Sequence, residues 1–443
     1  MSIPRTSLRS FLSNAKSALH NAANSSEKVT IVTGNESADL DSLTSSILYA
    51  YIRSSSPRSP SRLYIPLANL PASDIDIRPE FLKLLPYANI DKSHLITLDD
   101  LARAEGTTTT TTNIANGRRL DPEDTRWVLV DHNALQGQLG AIYGHRVSGV
   151  IDHHDEEGFV PQETGDEPRI VEKSGSCTSL ITNYCREAWD EISASSLSSG
   201  AAHAQGDNVA DDSAVTRTWD AQVAQFALAS VLIDTANLTS EEKVTSHDVK
   251  AVEYLEAKIK LSPQHSVRYK RKDLYKEINA AKKDLDGLSL RDVLRKDYKE
   301  WTEKGKKLGI SSVVKRLSWQ MDKAKAEHMS TSDTNKETVF LETVRKHAES
   351  RDLDVVSIMT TSKPLEGEFK RELLVWALNP DCIPLMERFK EIADPDLRLR
   401  DWQVADLNST QAQDDMGCRV WWQDDVGKSR KQVAPLLRSA MNG

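Results

Sequence analysis

Apolar residues in this chain come in short runs that stop abruptly at polar clusters, and the same order recurs several times. Residues 28–34, Lys-Val-Thr-Ile-Val-Thr-Gly, read as a buried strand closed by glycine. Residues 43–52 then carry apolar side chains at helical spacing, with Asp41-Ser42 set to cap that helix. Residues 62–67 form another strand-like run. Residues 127–130, Trp-Val-Leu-Val, lead straight into Asp131-His132-Asn133, and residues 147–151 lead straight into Asp152-His153-His154. The apolar run 223–233 ends in the same way on Asp234-Thr235 and reads as a further strand. Strands alternating with helical patterns predict an α/β fold with a mainly parallel sheet and flanking helices. In such sheets, ligands bind at the carboxyl ends of the strands, where these polar clusters fall.

Near the N-terminus, Leu8, Phe11, Leu12, Ala15 and Leu19 share one helical face and predict an amphipathic first helix. The same segment holds Arg5, Arg9 and Lys16 and little acid, a composition it shares faintly with mitochondrial presequences. Three stretches read as loops. Residues 106–117 include six consecutive threonines, residues 193–213 are rich in Ser, Ala, Gly and Asp and read as disordered, and residues 330–336 are a short polar break. After about residue 246 the texture changes. Charged helical patterns span 270–286 and 290–299, and the apolar runs 355–359 and 373–378 read as strands.

A length of 443 residues exceeds one ordinary core and predicts two domains, 1–245 and a smaller α/β domain 246–443. Hydrophobic residues make up 39 % and charged residues 28 %, the balance of a folded globular chain. No apolar run approaches the roughly 18 residues that span a bilayer, so a cytoplasmic protein is expected. Cys177, Cys185, Cys382 and Cys418 form no Cys-x-x-Cys pair and indicate neither a zinc site nor a disulfide framework. Charge divides the chain unevenly. Residues 1–250 hold 21 Lys and Arg against 34 Asp and Glu, and residues 251–443 hold 36 against 32. The first part suits cations and the second tolerates an anion.

The chemistry lies in where the acids stand. Asp39 and Asp41, Asp131, Asp152-His153-His154 and Asp234 each follow an expected strand. Any one of them reads equally well as a helix cap or a plain turn. Four such strand ends in one sheet would bring the carboxylates to one edge, where mutual repulsion and desolvation are costly unless cations are present. Mixed Asp and His donors suit manganese or cobalt, and the predominance of oxygens also admits magnesium.

The string Asn35-Glu-Ser-Ala-Asp39-Leu-Asp41-Ser42, followed in order by Asp131-His132, Asp152-His153-His154 and Asp234, resembles the DHH phosphoesterase superfamily. Residues 294–299 and Ser429-Arg430-Lys431-Gln432 are similar to strings of its second, DHH-associated domain, and Gly175-Ser176-Cys177-Thr178 looks like its small-residue turn. Within the superfamily the chain is most similar to the fungal cytosolic exopolyphosphatases, with family II inorganic pyrophosphatases and Prune-type phosphatases as relatives. The resemblance implies two divalent cations, Mn2+ or Mg2+ with Co2+ possible, held by Asp39, Asp41, Asp131, His153 and Asp234. Asp131 and Asp234 would bridge, and the site would lie in a cleft between the domains. It implies catalytic roles for Asp131 and His154, and an orienting role for Asp152. Substrate-binding roles fall to Asn35, His154, Ser176, Thr178, Lys299, Arg430 and Lys431. Arg268, Lys270, Arg271 and Lys272 are further basic candidates.

Family II pyrophosphatases carry histidine at the position of Asn35, and Prune-type proteins tend to lose the histidine that this chain keeps as His154. Both departures favour exopolyphosphatase: hydrolysis of terminal orthophosphate from inorganic polyphosphate. A pyrophosphatase, a nucleotide phosphodiesterase on the same scaffold, or a Prune-like interaction protein are the alternatives. Neither a nucleic-acid nor a membrane partner is expected, and a monomer is.

Overall fold

The computed structural model describes residues 5–22, 28–56, 62–104, 120–198, 209–328, 335–362, 369–402 and 417–442. The Thr-rich stretch 106–117 and residues 199–208 of the Ser/Ala-rich stretch lie outside the described residues. Two compact units divide between Lys282 and Lys283, later than the boundary expected at 245/246. Helices Ser246–Lys260 and Arg271–Lys283 carry Val252, Leu255, Ile259, Leu274 and Ile278 into the first unit's core, which is why that unit extends so far.

The first unit is built on a five-stranded sheet in the order β2-β1-β3-β4-β5, all neighbours parallel. The strands are β1 Val29–Thr33, β2 Tyr64–Leu67, β3 Thr125–Val130, β4 Val147–Asp152 and β5 Arg169–Val171. Every residue of β1 is buried, as a central parallel strand covered on both faces requires. β1 pairs with β2 on one side and β3 on the other, so the chain reverses its winding direction there. The crevice outside the ends of β1 and β3 is the position where such sheets bind ligands. Gly34 closes β1 at a point where a Cβ would lie 2.5 Å from the Ser42 Cβ, and this close approach admits only glycine.

The first helix spans Leu8–Ala22 and buries Leu8, Phe11, Leu12, Ala15, Leu19 and Ala22, the face read from the sequence. The second, Leu40–Ser55, is capped by Asp39, whose carboxylate accepts from the Ser42 amide; the expected cap, Asp41-Ser42, lies inside the first turn. Residues 223–233 are not a strand. They belong to a helix, Val209–Asp234, that is buried all round at Val223, Ala224, Phe226, Ala227, Leu228, Val231 and Leu232. Apolar runs do not distinguish a fully buried helix from a buried strand, and the alanines at 221, 224, 227 and 229 favour the helix. This helix and Cys177–Ser198 also extend through the described ends of the stretch 193–213, which had read as disordered.

The second unit holds a mixed six-stranded sheet in the order β10-β11-β9-β8-β7-β6. Its strands are β6 Tyr298–Glu303, β7 Lys306–Val313, β8 Val355–Thr360, β9 Arg371–Ala377, β10 Leu399–Asp401 and β11 Cys418–Gln423. The helical pattern read over 290–299 stops at Lys296, and Lys299 lies in β6. β6 and β7 form an antiparallel hairpin through Lys304 and Gly305, both at positive φ as a tight two-residue turn demands. Alternate residues of the sheet face two cores. Val356, Ile358, Leu374 and Trp376 meet helices Leu317–Glu327 and Lys336–Glu349, while Val355, Leu373 and Val375 meet helices Leu385–Leu397 and Arg430–Asn442.

Phe226 is fully buried and stands edge-on to Phe81, with ring centroids 6.0 Å apart. Phe226→Ala is expected to cost about 3–5 kcal/mol in urea unfolding of the full chain. A loss below about 0.5 kcal/mol, the range of ordinary surface changes, would contradict a buried helix here.

Candidate metal centre

Three strand ends and one helix end converge in the first unit. Asp131 follows β3 directly and adopts a left-handed backbone with φ 60°, an uncommon conformation for a residue other than glycine. That turn directs its carboxylate back across the end of the sheet. Its Oδ2 accepts from the Ser42 hydroxyl at 2.6 Å and from the Asn35 amide at 2.9 Å. Its Oδ1 lies 3.2 Å from His153 Nε2 and 3.9 Å from His154 Nδ1. Asp131, His153 and His154 each offer a ligand atom within 4.8 Å of the others. Burial raises the Asp131 pKa, but the hydrogen bond and charge from His153, with the His154 charge and the Ser42 hydroxyl, outweigh it and hold the carboxyl well below its usual range.

The two histidines are held differently. His153 Nδ1 lies 2.9 Å from the Ser174 carbonyl, which can only accept, so Nδ1 carries the proton. In the neutral ring, Nε2 then presents a lone pair to the Asp131 carboxylate. Two acceptors 3.2 Å apart repel unless a proton or a cation lies between them. His154 Nδ1 instead sits 2.8 Å from Asp152 Oδ1, which leaves its Nε2 turned away from that contact. Asp152 is fully buried and also accepts from the His153 amide and from Asn133, so it orients both histidines.

Asp41 is the most heavily bonded of the acids. Its Oδ1 accepts from the hydroxyls of Ser176, Thr178 and Ser230 and from the Thr178 amide, at 2.6–3.0 Å. Its Oδ2 accepts from the Cys177 amide alone, at 2.7 Å, and keeps a lone pair for another partner. The Ser176 and Thr178 donors, expected to receive phosphate, are therefore directed at a carboxylate. Asn35 is likewise turned inward: its amide nitrogen meets Asp131, and its oxygen accepts from the Ser37 amide at 2.9 Å.

Asp39 and Asp234 have far less support. Asp39 stands at the solvent edge of the cluster with the Ser42 amide as its cap donor. Its carboxyl is pushed up to about 6 by desolvation and then by the charges of Asp131 and Asp41. Asp234 ends its helix with Oδ2 buried and without a hydrogen-bond partner, and burial followed by the charges of Asp41 and Asp39 raises its pKa well above the carboxylate range. Lys282 contributes an opposing positive charge to both. An orphaned buried carboxylate oxygen and a second carboxyl driven toward neutrality are what divalent cations relieve. Among the described residues, Asp131, His153 and His154 are the group whose ligand atoms lie close enough to share one ion, and Asp39, Asp41 and Asp234 stand near enough to raise one another's charge cost.

In the second unit, Arg430 opens the helix Arg430–Asn442 and reaches Asp297, with Nη2 2.7 Å from the carboxylate and Nη1 3.0 Å from the carbonyl. The two family-like strings, far apart in sequence, therefore meet here. Lys299 is half-buried two residues along, and Lys431 is exposed. Arg271, one of the further basic candidates, is paired with Glu256 at 2.7 Å. Sequence reading missed Ser42, Asn133, Ser230, Asp248 and Lys282. Each is a common residue at an unremarkable spacing, and only the fold brings it to the site.

The DHH family, N-terminal domain, matches residues 29–204, and the DHHA2 domain matches residues 276–440. A Schizosaccharomyces pombe protein named "Putative exopolyphosphatase" is 30 % identical over 99 % of this chain and 96 % of its own. The Homo sapiens protein "Exopolyphosphatase PRUNE1" is 24 % identical over 98 % of this chain and 80 % of its own. A solved structure described as a Methanococcus jannaschii "putative family II inorganic pyrophosphatase" shares the fold with a TM-score of 0.50 at 18 % identity, covering 94 % of this chain and 100 % of that one. Among the described residues, no helix is long and apolar enough to cross a membrane.

Metal binding here is expected to displace protons, because Asp39 is pushed up to about 6 and Asp234 is raised well above the usual carboxylate range. Titration with Mn2+ in buffers of different ionisation enthalpy should show net proton release near pH 6, with affinity falling as the pH drops through that value. After chelation the sign for stability is the reverse. A carboxyl raised by folding contributes stability at low pH that is lost as pH rises through about 6. Affinity that is flat between pH 5 and 7 would contradict this electrostatic picture.

Proposed function

The chain belongs to the DHH family, a DHH N-terminal domain followed by a DHHA2 domain, and from that membership we propose that it is an exopolyphosphatase releasing terminal orthophosphate from inorganic polyphosphate. The observations that carry the reading are the Asp131–His153–His154 group at the end of the parallel sheet, the charge repulsion that Asp39 and Asp234 feel from their neighbouring carboxylates, and the Asp234 oxygen without a hydrogen-bond partner. Asp39, Asp131 and Asp234 would hold one divalent cation, Mn2+ or Mg2+, and Asp41, Asp131, His153 and Asp234 the other. Such a pair neutralises charge on phosphoryl oxygens and acidifies a nearby water, the main demands of phosphoanhydride hydrolysis.

The chain's own residues set the rest. Ser42 and Asn35 fix the Asp131 carboxylate, and the Ser174 carbonyl fixes the His153 tautomer. His154, held through Nδ1 by Asp152, keeps Nε2 to contact the phosphate or give it a proton. Asp297 holds the Arg430 guanidinium in one orientation, which lowers the entropy lost when it grips a phosphate unit. Lys299 and Lys431 add point charges for a polymer carrying about one negative charge per unit. Full-length similarity to a protein named as an exopolyphosphatase supports polyphosphate over pyrophosphate, as does asparagine at position 35.

Phosphate release from long-chain polyphosphate, tripolyphosphate and pyrophosphate, measured with Mn2+, Mg2+ or Co2+, tests the proposal. Release from polyphosphate is expected to dominate, and release from pyrophosphate alone would overturn it. Asp131→Asn should lower turnover by at least about a hundredfold, since even outer partners of metal ligands cost 10–100-fold.

A further inference from the structure

Asp248 lies on the helix Ser246–Lys260 and is fully buried. Part of its role is local. With Thr245 it forms a capping box, accepting from the Thr245 amide at 2.8 Å and hydroxyl at 2.9 Å. A helix cap needs nothing more. Yet the same carboxylate also accepts from the Ser174 hydroxyl at 3.0 Å, the Gly175 amide at 2.9 Å, the Ser176 amide at 3.2 Å and the Ser179 hydroxyl at 2.7 Å. These four donors all come from one short turn and the start of the helix Cys177–Ser198, about 70 residues earlier in the chain. Burial raises the Asp248 pKa, but these donors, Ser179 foremost, hold it below the usual range, so the group is a fixed anion.

The turn anchored in this way reaches the metal centre from both ends. Its Ser174 carbonyl accepts from His153 Nδ1 and turns Nε2 toward Asp131. Its Ser176 hydroxyl, Cys177 amide and Thr178 amide and hydroxyl hold Asp41. Gly175 lets the turn come this close: a Cβ there would lie 3.0 and 3.1 Å from the Asp248 carboxylate oxygens and 2.6 Å from the Thr235 Cγ2. Asp41 and His153 are the two ligands assigned above to the second cation and not to the first.

We propose that Asp248 is a positioning residue for that cation site alone, acting through the turn 174–178 on both Asp41 and His153. The inference rests on the two-cation reading of the centre. When the turn is released, Asp41 and His153 lose their fixed orientation together, while Asp39, Asp131 and Asp234 keep theirs through Ser42, Asn35 and the helix end.

Two measurements on the full chain test it. In Mn2+ titration calorimetry, Asp248→Asn should weaken one of two binding steps about ten- to hundredfold, the usual cost of an outer partner, and leave the other within about twofold. Gly175→Ala, which keeps the carboxylate but pushes the turn from it, should weaken the same step. Thr245→Ala, which removes the helix cap and one donor to Asp248 but leaves all of its contacts with the turn, should weaken neither. Equal weakening of both steps in Asp248→Asn, or the same loss in Thr245→Ala, would overturn the proposal. The second readout needs no metal. The 15N shifts of the His153 ring in the chelated protein should report an Nδ1-protonated ring in the wild type and a mixture of tautomers in Asp248→Asn. If the wild type binds a single Mn2+, the two-cation reading fails. The tautomer shift then still decides whether Asp248 orients His153, and an unchanged His153 spectrum in both Asp248→Asn and Gly175→Ala would overturn that too.

Discussion

Mutual repulsion among Asp39, Asp41, Asp131 and Asp234 is the constraint around which the first unit is arranged. A parallel sheet that changes winding direction between β1 and β3 brings chain segments together at one end, and here those segments carry acids. The fold distributes hydrogen-bond donors unequally among them. Asp41 receives Ser176, Cys177, Thr178 and Ser230, and Asp131 receives Ser42 and Asn35. Asp39 and Asp234 receive little and are pushed toward neutrality, Asp39 by desolvation and the charges of Asp131 and Asp41, Asp234 by burial and the charges of Asp41 and Asp39. The result is two well hydrogen-bonded carboxyl groups and two poorly supported ones, a pattern that favours cations while keeping the ligand positions fixed. Gly34 lets the end of β1 approach Ser42, and Gly175 lets its turn approach Asp248 and Thr235, more closely than any side chain would permit.

Much of the first sheet was legible in the sequence because the signal is local. An apolar run closed by glycine identifies β1, and runs ending on Asp-His identify β3 and β4, without tertiary information; Asp39 follows the first a few residues on, and Asp131 and His153 follow the other two directly. Asp234 was expected at the end of a strand and instead ends a helix. Its apolar run has no polar face, so periodicity is silent, and only length and alanine content point to a helix. The hairpin β6–β7 escaped notice because its charged alternation, Tyr-Lys-Glu-Trp-Thr-Glu, adjoins a true helix and lacks the apolar face by which strands are recognised. β11 was overlooked as well.

The partners that tune the centre could not be read from the chain. Ser230 meets Asp41 from 189 residues away, and Asp248 meets Gly175 from 73. A serine or aspartate in a helix has no signature that separates such a role from solvation or capping. The structure also reassigns donors. Ser176, Thr178 and Asn35 were expected to face the substrate, but their hydrogen bonds run to Asp41 and Asp131. In the second unit, the Asp297–Arg430 pair gives two separately noticed strings a common physical role.

Anomalous diffraction from crystals grown with Mn2+ would test the charge argument most directly. Two peaks are expected, both in contact with Asp131 and Asp234, one also with Asp39 and the other also with Asp41 and His153. A single peak held by Asp131, His153 and His154, with the Asp234 oxygen still unpaired, would contradict it.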